Sequence, residues 1–220
     1  MRTWIAFVVW LAISVSCVPS VSGQQESDTI NETWPELQVY FRLNPRTQLF
    51  LDVAGQSDRE SSYSNGLIGG DIVYDVNKWM DARAGYRFGR VQDPGKDPTF
   101  ENRMLFQTTR HASLGHGWFV NDRNRIELRW LDSGFSTRYR NKLQFGRDFK
   151  VRERAVTPYV ETEVFYDSRY EKWNRVVYDA GVAIAINKHF SLEPYAGEQS
   201  DTETTPRYTR FLGLKFILRF

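Results

Sequence analysis

The chain has one cysteine, no apolar run long enough to form a membrane-spanning helix, and almost no net charge. Each shortage excludes a class. The cysteine, Cys17, lies in the apolar N-terminal stretch, so a chain cut after Gly23 has no disulfide and no thiol chemistry. Lipid attachment at Cys17 is disfavoured by Ser14, which stands where such signals place an aliphatic residue. The apolar run Trp4–Val15 is too short to cross a bilayer. A formal charge of +2 gives no basic stripe, so no nucleic-acid partner is expected. Metal-ligand spacing, a nucleophile elbow and a phosphate loop are missing too, and no metal or cofactor is expected.

Mean hydropathy is −0.52 with 41% hydrophobic residues, too polar for a helical membrane protein. Aromatics still reach 15%, as girdles at a membrane interface would require. The N-terminus reads as a cleaved signal peptide over residues 1–23: Arg2, then the apolar run, then Val21-Ser22-Gly23. Residues 24–35 read as a polar tail, and 36–220 as a single domain.

That domain has no helical period. It alternates, with turn signals roughly every dozen residues. In the closing stretch, Leu212, Leu214, Phe216, Leu218 and Phe220 share one parity, and Gly213, Lys215 and Arg219 the other, with Ile217 the apolar exception. Short links at Asn44–Arg46, Asn77-Lys78 and Asn187-Lys188 fall at one end, and long polar loops at 58–64, 92–98, 167–173 and 199–206 at the other. Trp34, Trp79, Trp118, Trp130 and Trp173 lie at or near strand ends. Together these predict an all-β, antiparallel up-and-down transmembrane barrel. Eleven segments can be counted. Bacterial single-chain barrels have even numbers, so 12 strands (range 10–12) are expected. Either Ser27–Thr33 is a short extra strand or Glu36–Leu43 is not a full member of the barrel, and the discrepancy is placed at the N-terminal end. The terminal Phe220 is expected to serve as the signal read by the barrel assembly machinery, with outer-membrane lipid around the barrel.

The parity facing inward is rich in both charges: Arg83, Arg87, Arg103, Arg123, Arg125, Arg129, Arg138, Arg140 and Arg175 against Asp71, Asp81, Glu101, Glu127, Glu161, Glu163 and Asp179. One reading is a structural network of guanidinium–carboxylate forks. The other is a narrow polar pore, or a site for a small polar or anionic solute on the arginines of the sixth and seventh strands. Two rivals remain. His111 and Ser113 have the spacing of the dyad in outer-membrane phospholipases and lipid A deacylases, which would make the protein a lipid-modifying hydrolase. A soluble periplasmic β-barrel that binds a small ligand is the second.

From Glu101 onward the order of features resembles the bacterial family called domain of unknown function 2490. The likeness rests on Glu101-Asn102-Arg103, Arg123–Arg129, Arg138-Tyr139-Arg140, Pro158–Glu161, Asn174-Arg175 and the closing strand. It implies an outer-membrane-type barrel with an Arg/Glu-lined interior and no assigned activity.

Overall fold

Segments that alternate over a dozen residues have one wet and one greasy side, and strands of this kind pair until no edge stays open. The computed structural model describes residues 29–58, 64–92, 95–204 and 207–220; the expected leader and the first part of the tail lie outside them. The strands are β1 (Thr29–Asn44), β2 (Thr47–Asp58), β3 (Ser64–Asn77), β4 (Met80–Gln92), β5 (Thr99–Gly115), β6 (Trp118–Leu131), β7 (Gly134–Arg147), β8 (Phe149–Val151), β9 (Arg154–Asp167), β10 (Lys172–Ala185), β11 (Phe190–Asp201) and β12 (Tyr208–Arg219). Neighbours in sequence pair antiparallel, and β12 returns to β1, closing the sheet into a barrel.

Among the described residues there are twelve strands, but β8 is not a separate stave. The β7–β9 register that ends at Gly146↔Tyr159 resumes unshifted at Phe149↔Val156 on β8. The missing rungs fall at Pro158, which has no N–H to give to Arg147, while the Asp148 N–H continues the β6–β7 ladder to the Gly117 carbonyl at 2.9 Å. The wall therefore has 11 staves. The extra strand was expected at the N-terminus; it lies instead between β7 and β9. Thr29–Pro35, read from the sequence as the end of the polar tail, belongs to β1. An odd number makes the first and last staves run the same way, so the β1–β12 seam is parallel, from Thr29↔Tyr208 to Tyr40↔Arg219.

Asparagine shapes three of the five turns at one end; the other two, β5–β6 and β8–β9, turn through His116-Gly117 and Arg152 at positive φ. Asn44 Oδ1 accepts the Arg46 N–H, Asn77 Oδ1 accepts that of Trp79, and Asn187 Oδ1 accepts those of His189 and Phe190, at 2.8–2.9 Å. Most connections at the opposite end are longer. The exception is β6–β7, turned by Asp132-Ser133 with Gly134 at φ +122°.

Large apolar side chains cover the outside all the way round. Leu51, Ile72, Phe88, Phe106, Ile126, Leu143, Val160, Tyr178 and Leu212 are exposed, and each lies on a different stave. A soluble monomer does not present so continuous an apolar belt; lipid is the solvent that fits it. Trp79 and Trp118 lie at the end with the asparagine turns, Trp130 and Trp173 at the other, and all four are exposed. Trp34 departs from expectation: it points into the lumen and stacks on Phe211, ring centroids 3.7 Å apart.

Candidate functional site

Because β-parity is strict, outward-facing apolar residues force their polar neighbours into the lumen. A cavity of about 860 Å³ opens there, bounded below by Phe50, Arg83 and Lys215 and reaching Lys96, Gln199 and Thr204 near the longer connections. Of the charges expected inside, Arg83, Arg87, Glu101, Arg103, Arg123, Arg125, Arg129, Arg138, Arg140, Glu161, Glu163, Arg175 and Asp179 line this cavity. Glu127 lies behind them, fully buried.

The charge is divided by wall. On β4–β7 the lining bases are Arg83, Arg87, Arg103, Arg123, Arg125, Arg129, Arg138, Arg140 and Lys142. The inward acids of these four strands are Asp81, Glu101 and Glu127. The other staves lean acidic: β1, β2 and β10 contribute Glu32, Glu36, Asp52 and Asp179 against Arg175 and Lys215, and β9, paired directly with β7, adds Glu161 and Glu163 at the edge of the basic wall. Forks stitch the basic wall together. Glu127 accepts from Arg138 Nε at 2.7 Å and Arg140 Nη1 at 3.0 Å, with Arg103 and Arg125 at 3.6 Å. Glu101 takes Arg129 Nε at 2.5 Å and Nη2 at 3.1 Å, and Arg103 Nε at 3.0 Å. Glu163 takes Arg140 through Nε and Nη2 at 2.8 and 2.9 Å, and Arg123 Nη2 at 2.7 Å. Arg175 bonds Asp201 at the outer end.

An aromatic patch also faces the lumen. Trp34, Phe165, Val177, Tyr195 and Phe211 pack together. Room comes from glycine: along one register row Gly181, Tyr195, Gly213 and Trp34 alternate small with large, and a Cβ on Gly213 would strike the Tyr195 ring. Parity could have revealed the patch, since Trp34 shares a face with Glu36 and Gln38, and Tyr195 shares one with Glu193. The polar composition of that face hid it.

His111 and Ser113 also face inward, near the asparagine-turn end. His111 is fully engaged. Its Nε2 lies 2.8 Å from Asp81 Oδ2 and its Nδ1 2.9 Å from Asn121 Oδ1. The Asn121 amide is oriented by donating to Gln144, which in turn donates to Glu161, a carboxylate that only accepts. Both imidazole nitrogens are therefore directed at Asp81 and Asn121, and neither is aimed at Ser113.

An inside-out β-barrel with a charged lumen defines an outer-membrane-type barrel. The family model described as "Protein of unknown function (DUF2490)" matches residues 31–210, so the chain belongs to that family. Among solved structures, it is similar to the crystal structure of the β domain of the Bordetella autotransporter BrkA. The TM-score is 0.51 at 16% identity, covering 77% of this chain and 78% of that one, a likeness of fold alone. No curated protein sequence matches the chain.

Proposed function

We propose that the protein is a bacterial outer-membrane barrel whose lumen accepts small polar solutes, anionic ones above all, in a narrow passage between a basic and an acidic wall. The observation that carries this is the division of lumen charge: bases crowd β4–β7, and the bases lining the cavity outnumber its acids. Opposed walls of charge orient a solute's dipole and raise the local concentration of its counter-charge. The passage is narrow because inward side chains fill most of a small barrel and leave a cavity of about 860 Å³. Nearest the asparagine turns, the Asp81–His111–Asn121–Gln144–Glu161 chain laces neighbouring staves of one wall together. Export by the residue 1–23 leader and insertion through the Phe220-terminated strand fit the same reading, with the asparagine turns in the periplasm and the longer connections outside.

The test is single-channel recording of the refolded mature chain in a planar bilayer. Small discrete steps with anion preference are expected, and Arg175→Gln, at the outer part of the lumen, should reduce that preference. A folded barrel that conducts nothing would contradict the passage.

A further inference from the structure

Most guanidiniums in the lumen are gripped by a carboxylate of their own; Arg83 and Arg125 are not, and Arg123 has only a share of one. Arg83 comes no nearer to a carboxylate oxygen than 3.6 Å, at Asp71, and both oxygens of Asp71 are already taken by Arg87. Arg125 commits Nε and Nη2 to the neutral amide oxygen of Gln107, at 2.9 and 2.7 Å, and its carboxylate contact with Glu127 is also 3.6 Å. Arg123 makes a single bond, to a Glu163 that Arg140 already grips twice. The Nε atoms of Arg83 and Arg123 are buried and meet no acceptor.

These three side chains are neighbours. Arg83, Gln107 and Arg125 stand in one register row across β4, β5 and β6, and Arg123 lies two residues from Arg125 on the same face. All three arginines line the cavity. Positive charge held out of bulk water without a matching carboxylate is costly, and a fork of N–H donors is built for a bidentate oxyanion. We infer that Arg83, Arg123 and Arg125 form a binding site for the carboxylate or phosphate group of a small solute that enters from the end with the longer connections. Gln107 sets the site by holding Arg125 with a neutral group where a carboxylate would have cancelled its charge.

This inference deepens the reading of the lumen as a solute passage, but its test does not depend on conduction. The refolded full chain in detergent is titrated calorimetrically with inorganic phosphate and, separately, with succinate; the arm that binds more tightly identifies the head group. Saturable binding is expected, and R83Q/R125Q should weaken it about tenfold or more, as the loss of charge-assisted hydrogen bonds implies. Arg210 pairs with Glu198 on the outside of the barrel, so R210Q should leave binding unchanged. If the double variant does not fold, as judged by heat-modifiable gel mobility, R83Q alone breaks no fork and reads the same loss. Absence of binding by both anions at millimolar concentration, or binding that survives the substitutions in a folded barrel, would overturn the site. A barrel that binds phosphate yet stays silent in a bilayer would support the site and contradict only the passage.

Discussion

Glu127 shows what a single carboxylate does in this lumen. It is 0% exposed and is shared by Arg103, Arg125, Arg138 and Arg140. Removing its charge leaves several guanidiniums without compensation, a change that costs about 3–5 kcal/mol when one partner of a buried pair is lost. Glu127→Gln should therefore lower stability by about 3 kcal/mol or more in urea unfolding of the lipid-reconstituted barrel, with its β circular dichroism retained. A loss within experimental error would show that the arginines are solvated rather than held by Glu127. Gly213→Ala drives a methyl group into the Tyr195 ring, and overpacking of this kind costs about 1–3 kcal/mol. A shift of Tyr195 should accompany it, readable in near-ultraviolet dichroism. At this scale the sequence is informative about direction and poor about partners. Alternation separates Leu212 from Lys215 without any coordinates, but nothing in it says that Arg125 meets Gln107 or that both nitrogens of His111 are taken. Those facts depend on side chains brought together from different strands.

Among the elements, two local features are legible and one is not. An asparagine at the head of a tight link marks a turn because its side chain can satisfy a backbone N–H two residues on, and Asn44, Asn77 and Asn187 all do so. Pro158 can likewise be read as a break, though not as the reason one stave is divided into β7 and β8. Pro158→Ala restores an N–H opposite Arg147 and should join the two pieces. Hydrogen exchange should show new protection at residue 158, with thermal stability equal to or above the parent; an unprotected amide there would place the cause of the break elsewhere. The end of β12 does more than terminate the chain. The Phe220 N–H bonds the Tyr40 carbonyl, its own carbonyl accepts from the Arg42 N–H, both at 2.8 Å, and its ring stacks on Phe41. Deleting Phe220 removes the last rungs of the parallel seam. Reduced outer-membrane levels, measured by fractionation, should come with faster unfolding of whatever barrel does assemble. Reduced levels with unchanged unfolding would assign Phe220 to assembly alone.

On the scale of the whole molecule, the barrel follows from counting apolar faces, while its closure does not. Eleven alternating segments can be read from the sequence, but an even number is the rule for bacterial single-chain barrels. An odd set becomes admissible only when the first and last staves pair in parallel, and the β1–β12 register shows this. Strand pairing over such separations leaves no local trace in the sequence. The charge division between walls is visible strand by strand, but it becomes a wall only once the circular order is known.

The central claim is that the apolar face meets lipid and the charged face encloses the lumen. A spin label placed in turn at positions 212 to 218 of β12 in the reconstituted barrel tests it most directly. Labels at 212, 214, 216 and 218 should collide with lipid-dissolved oxygen and be shielded from a water-soluble relaxation agent, and labels at 213, 215 and 217 should show the reverse or neither. Equal access of the water-soluble agent to both parities would contradict a membrane-embedded barrel.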